Sequence, residues 1–304
     1  MSSGTGTTSS TTSTTTTAPQ TRSPMVTTSW LAERLDAPEL VLLDATVHLP
    51  GPSGKGTYFS GRGDYFVEGH IPGAVFADLM EQFSDPDGEY PFTAPSAAAF
   101  EEAAGSLGIG NDTTVVVYDN GQGQCAARLW WLFRAFGYDR VGVLDGGLTK
   151  WRAENRAVER GFVTPDAATF VARPRPDLWV DRAYVEDVVA GRIDAALVCG
   201  LHRDEYLGER AERPRGGHIP GSTNVAVSDL VDPDTHELVS SEALTSLFGG
   251  VMARERIVVY CGQGLVAAAD ALALTMLGHR NVAIYDNSMN EWSAIDALPI
   301  ATSR

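Results

Sequence analysis

Three cysteines offer this chain its best nucleophiles, and one of them, Cys261, stands where a thiol would be activated. It follows the apolar run Ile257-Val258-Val259-Tyr260 and precedes Gly262, Gln263, Gly264, Leu265 and Val266, five residues ahead of an alanine-rich stretch beginning at Ala267. A strand, a turn with two glycines and a helix in that order form the junction where open parallel sheets place their chemistry. The glycines let the backbone turn its N–H groups inward. Together with the helix N-terminus those amides form a cradle for an anion, which favours a thiolate over a thiol. The plainer reading is a structural cysteine sealed in apolar packing at a strand end, since cysteine is among the most often buried residues. A structural cysteine needs no glycine cradle, and the flanking residues argue against it. Cys199 continues the run Ala195-Ala196-Leu197-Val198, and Cys125 falls just before a helix, away from a strand end. Both read as structural.

The elements that must position Cys261 occur twice. Gly69-His70-Ile71-Pro72-Gly73 recurs as Gly217-His218-Ile219-Pro220-Gly221, and Val115-Val116-Val117-Tyr118-Asp119 as Ile257-Val258-Val259-Tyr260-Cys261. Phe136-Gly137, Val141, Asp145 and Trp151 return as Leu277-Gly278, Val282, Asp286 and Trp292, all at an offset of roughly 141–148 residues, too long for a solenoid repeat. Each copy is therefore a domain. In the first copy Glu39–Asp44, Val115–Tyr118 and Arg140–Leu144 read as short buried strands. Leu129, Trp130, Leu132, Phe133 and Phe136 give Ala126–Phe136 a helical apolar face, and Trp130-Trp131 belongs in the core. In the second copy the strands fall near Ala195–Val198, Ile257–Tyr260 and Val282–Tyr285, with a helix over Ala267–Leu277. This α/β alternation predicts two mainly parallel sheets flanked by helices. The expected divisions are a Ser/Thr-rich disordered tail over 1–24, a first domain over 25–165, a linker over 166–180 around Arg173-Pro174-Arg175-Pro176, and a second domain over 181–304.

The repeat is also an internal control. Asp119 stands where the second copy has Cys261, and a carboxylate cannot act as a thiolate nucleophile. Its loop is one residue longer, with six residues before Ala126. The first copy is expected to be silent, a scaffold and one wall of a cleft.

A net charge of -16 argues against nucleic acid and anionic membranes as partners. No apolar run approaches the roughly 20 residues that span a bilayer. The first 24 residues lack the apolar core of a secretory signal. Three scattered cysteines with no C-x-x-C pair predict neither a disulfide framework nor a metal site, and a reducing, cytoplasmic setting is the simplest.

Taken together, these features resemble the tandem rhodanese family, which includes thiosulfate and 3-mercaptopyruvate sulfurtransferases. The resemblance covers roughly Leu31 to Pro299. It is carried by the doubled G-H-I-P-G, Val143-Leu144-Asp145-Gly146-Gly147 with Trp151, the Asp-for-Cys exchange in the first copy, and Cys261-Gly262-Gln263-Gly264 in the second. It implies two rhodanese-like domains around an interdomain cleft, with neither metal nor organic cofactor. Cys261 would take sulfur from a small anionic donor as a persulfide and pass it to a thiol, cyanide or a sulfur-carrier protein. Gly262 after the cysteine is similar to the mercaptopyruvate users, whereas thiosulfate users tend to carry a basic residue there. Gln263 stands where those members have Ser, and Leu265-Val266 replace Val-Thr. The family's D-x-R aligns with Cys199-Gly200-Leu201, so an anion-binding Arg has become Leu201. Its D-G-S-W-x-E-W is Asp286-Asn287-Ser288-Met289-Asn290-Glu291-Trp292. Substitute cations would be Arg203, Arg213 or Arg215 in the second copy, or Arg62 in the first. The resemblance favours His70 over His218 as a cleft-facing proton donor, the alternative being that each His caps its own loop.

Two other readings compete. A Cys-dependent phosphatase needs an Arg six residues after the Cys; residue 267 is Ala and no Arg lies between Cys261 and Met276. A degenerate rhodanese acting as a sulfur-relay or protein-binding module fits Leu201, Gln263, Val266 and Met289, but has no need of a cradled thiolate.

Overall fold

The computed structural model describes residues 1, 23–49, 57–210 and 213–302; the tail expected over 1–24 lies almost wholly outside them. The first half supplies β1 (Met25–Val26), β2 (Leu40–Asp44), an antiparallel pair β3 (Val47–His48) and β4 (Phe59–Ser60), then β5 (Val75–Phe76), β6 (Thr114–Tyr118) and β7 (Val141–Leu144). The second supplies β8 (Trp179–Val180), β9 (Ala196–Cys199), β10 (Thr223–Asn224), β11 (Ile257–Tyr260) and β12 (Val282–Tyr285). These form two all-parallel sheets, ordered β1-β7-β6-β2-β5 and β10-β9-β11-β12-β8. Read from opposite ends the two orders are the same, so the repeat seen in the motifs extends to the whole topology. The expected α/β class, with two equivalent parallel sheets, holds.

β6 and β11 are central strands whose β-branched runs are buried on both faces. Side chains alternate across the sheet: Val115 and Val117 enter the larger core, Val116 and Tyr118 a smaller one on the other face. That larger cluster runs on into Leu197, Val198, Val259 and Leu274 of the second half without a break.

Two sequence expectations change. The Gln124–Ala135 helix was expected to show one apolar face over Ala126–Phe136; instead it is buried all round, because the Ala267–Met276 helix packs against its outer side. Cys125 thus sits in the first helical turn. The expected linker over 166–180 is partly structured: Phe170 packs on Phe100, Phe133 and Tyr138, while Trp179–Val180 pairs with β12 as an edge strand. A short apolar pair next to β12 wins a place in the sheet whatever the prolines upstream.

Candidate functional site

β11 ends at Tyr260, and the chain turns through Cys261–Val266 before the Ala267–Met276 helix. Gly264 takes φ +75, the left-handed region that favours glycine. The turn is stitched to the segment after β12. Ser288 Oγ accepts from the amides of both Cys261 and Gly264 at 3.1 Å and donates to the Tyr285 carbonyl at 2.7 Å. The Met289 and Asn290 amides donate to the carbonyls of Cys261 and Gly262 at 3.0 and 2.9 Å. Ser288 is fully buried with φ +51, a conformation costing about 1 kcal/mol in a non-glycine residue and typical of functional turns. Among the described residues nothing accepts from the amides of Gly262, Gln263, Leu265 or Val266. Cys261 is only 2% exposed, and the turn beside it keeps amides that have no acceptor among the described residues, donors available to an anion.

The cations sort plainly. Of the four arginines expected as substitute cations, Arg213 is brought to the loop: a Cβ on Gly262 would meet its guanidinium. Its Nη1 pairs with Glu205 at 2.9 Å and its Nε donates to Asn290 Oδ1 at 3.1 Å. Asn290 Nδ2 reaches Gln263 Oε1 at 3.4 Å, and Gln263 Nε2 donates to the Tyr58 hydroxyl of the first half. A polar chain therefore crosses the mouth of the loop from one half to the other. Arg215 does not face the loop; it caps the Ser288–Ala294 helix through the carbonyls of Trp292, Ser293, Ile295 and Leu298. Arg203 is exposed at the start of a four-residue helix. Arg62 stacks over Phe162 at 4.8 Å, beside a cavity lined by Phe76, Gln82 and Pro165. Leu201 is buried, and no charge replaces the expected Arg at that position.

The histidines also differ from expectation. His70 is fully buried, stacked on Tyr65 at 3.8 Å with Nδ1 against the Tyr65 carbonyl at 3.0 Å. His218 repeats this on Tyr206, at 3.6 and 2.7 Å. Each ring fastens its own G-H-I-P-G turn to a preceding tyrosine, so His70 is not brought to the Cys261 loop.

The first-half loop is built differently. Asp119 Oδ1 accepts from the Gly121 and Gly123 amides at 2.8 and 3.1 Å, and Oδ2 from Cys125 and Ala126 at 2.9 Å each. Its own carboxylate fills the cradle. Gly147 stands where Ser288 stands in the other half, also with φ +51; a Cβ there would meet the Asp119 carbonyl at 2.4 Å.

Burial pushes the Cys125 thiol well up and that of Cys199 to about 12, which fits structural roles for both. Burial also raises Asp44 to about 6, offset in part by Thr46. Asp270, on the Ala267–Met276 helix, is fully buried, neither oxygen has a hydrogen-bond partner among the described residues, and desolvation holds its carboxyl far above the usual range. The point a Gly200 Cβ would occupy lies 2.8 Å from Asp270 Oδ2 and 3.6 Å from Cys261 Cβ. The sequence reading missed Ser288 and Asp270; the quoted Asp286–Trp292 motif held the signal for the first, and an acid within an alanine-rich helix that of the second.

Among the described residues no helix is long and apolar enough to cross a membrane, and no cluster of His, Cys, Asp or Glu could hold a metal ion. The rhodanese-like domain family matches residues 27–154 and 202–295. An Escherichia coli 3-mercaptopyruvate sulfurtransferase is 34% identical, covering 89% of this chain and 95% of its own. A Bos taurus thiosulfate sulfurtransferase is 36% identical, covering 88% and 91%. The crystal structure of SseA from Escherichia coli, described as a 3-mercaptopyruvate sulfotransferase with a rhodanese fold, superposes with a TM-score of 0.77 at 33% identity, over 88% of this chain and 98% of its own.

Proposed function

The chain belongs to the rhodanese-like domain family and is a sulfurtransferase, and on that premise we propose that Cys261 carries the sulfur as a persulfide. The observation that supports this reading is the set of loop amides left without an acceptor around Cys261, with the Arg213 guanidinium against Gly262. The Cys261 thiolate attacks the sulfur of the donor. With 3-mercaptopyruvate, the favoured donor, the C–S bond breaks, its electron pair leaves on the pyruvate enolate, and a proton completes pyruvate. With thiosulfate, the next candidate, the S–S bond breaks and sulfite leaves. Inward amides stabilise the negative charge on the outer sulfur. An acceptor thiolate or cyanide then attacks that sulfur, the S–S bond breaks, and the Cys261 thiolate is restored. The first half contributes a wall of the cleft and no second persulfide. Three free, buried cysteines fit a reducing, cytoplasmic setting.

A relay module fed by another persulfide protein is the second reading, favoured by the Glu205 carboxylate that already pairs with Arg213 and by the apolar Leu201. Intact-mass measurement separates the two. Incubation with 3-mercaptopyruvate or thiosulfate should add about 32 Da, one sulfur, to the wild type and nothing to Cys261→Ser. A wild type that gains sulfur only from a persulfidated carrier protein would establish the relay reading, and sulfur gain by Cys261→Ser would remove Cys261 from the chemistry.

A further inference from the structure

We propose that Arg128, a residue of the silent first half, is a positioning residue that holds the Cys261 loop in its anion-binding form. The inference rests on Cys261 as the sulfur carrier. Arg128 lies mid-way along the Gln124–Ala135 helix, and its side chain is 1% exposed. The guanidinium sits between the two halves. Nη2 donates to the Phe92 carbonyl at 2.6 Å and forms an ion pair with Asp286 Oδ1 at 2.7 Å. Nη1 donates to the Gly264 carbonyl at 3.4 Å, and the group lies over the Trp179 ring at 5.0 Å. Asp286 completes the clamp, its Oδ2 accepting from the Ala94 amide at 2.9 Å.

Gly264 is the point on which these contacts converge. A Cβ there would stand 2.7 Å from the Asp286 carbonyl oxygen, 2.8 Å from its Oδ1 and 3.2 Å from Arg128 Nη1. The Gly264 amide is fixed by Ser288 Oγ and its carbonyl by Arg128. In a planar trans peptide the C=O and the following N–H point in opposite directions. Turning the Gly264 carbonyl toward Arg128 therefore turns the Leu265 N–H away from Arg128 and fixes its direction.

A buried ion pair contributes little net stability over an apolar replacement, whereas it does specify one arrangement of the groups around it. The device runs in one direction only. By the repeat, the counterpart of Arg128 is Ala269, which lies beside Gly123, Gly146 and Gly147 and has no side chain to extend. The silent loop has Asp119 to hold its amides, and the active loop, which must leave them free, takes its support from outside.

Arg128→Met and Arg128→Lys test this. Arg128→Met should lower kcat for sulfur transfer about 30-fold with donor KM within about twofold, and should slow alkylation of Cys261 by iodoacetamide at pH 7 about tenfold. Arg128→Lys, which keeps the charge without the fork, should recover part of both. A folded Arg128→Met with unchanged kcat and alkylation rate would overturn the proposal, as would losses matching only the fraction of unfolded protein. If Arg128→Met does not fold, Arg128→Lys carries the same two readings, with wild-type values again overturning it. Alkylation needs no sulfur donor, so failure of the persulfide reading leaves this test intact.

Discussion

Asp119 and Cys261 end equivalent central strands, and each is followed by a glycine-containing turn and a buried helix, yet the two turns hold their amides in opposite ways. In the first, a carboxylate folds back and accepts four N–H groups. In the second, Ser288 takes two amides from beneath, Arg128 grips a carbonyl from outside, and the remaining donors stay open. The difference teaches that the two halves divide one architecture between stability and reactivity. Charged hydrogen bonds contribute about 1.5–3 kcal/mol each, so the silent turn is the self-sufficient one. The reactive turn gives up that gain to keep a place for an anion that is bound only during turnover.

The largest effect should come from breaking the self-filled turn. Asp119→Cys removes the acceptor of four amides and should lower unfolding free energy by about 3 kcal/mol or more in urea titration. Intact mass after donor treatment should still show one added sulfur; a second would mean that the first turn, too, is a working cradle. An intermediate effect is expected from exchanging the residues beneath the turns. Ser288→Gly relieves a left-handed φ but strips the Cys261 and Gly264 amides of their acceptor. It should reduce kcat about tenfold with stability within about 1 kcal/mol. Gly147→Ser sets a Cβ against the Asp119 carbonyl and should cost about 2 kcal/mol without touching kcat.

The smallest and most specific effect concerns Asp270. Its folded-state carboxyl is held above the ordinary value of 3.8 by burial. Well below pH 3.8 both folded and unfolded chains are protonated and there is no penalty; as pH rises through 3.8 the unfolded chain ionises first and stability falls. Asp270→Asn should therefore gain more stability at pH 7 than at pH 3.5, read from urea midpoints at the two values. An equal gain at both would mean that ionisation plays no part.

Much of this contrast was legible before any coordinates. The repeat aligned Asp119 with Cys261, and the β-branched runs flanking them carry their own local signal, so both strands and both turns fell where expected. The cations did not, because an arginine's destination is set by distant partners: Arg215 goes to the carbonyls of a helix end, Arg62 to a phenylalanine, and Arg213 alone to Gly262. His70 goes elsewhere for a local reason: the Tyr65 ring five residues earlier, on the preceding helix, captures it, and composition does not show such stacking. Periodicity showed one apolar face on the Gln124–Ala135 helix but could not show that the second half covers the other.

The unbroken aliphatic interior that joins the two sheets has a thermodynamic corollary. Severing the backbone between Arg173 and Arg175 leaves Trp130, Trp131 and the Ala267–Met276 helix still facing one another, so the two pieces should stay associated and melt as a single calorimetric peak. Neither piece expressed by itself should melt cooperatively, and the duplicated chain should unfold as one body.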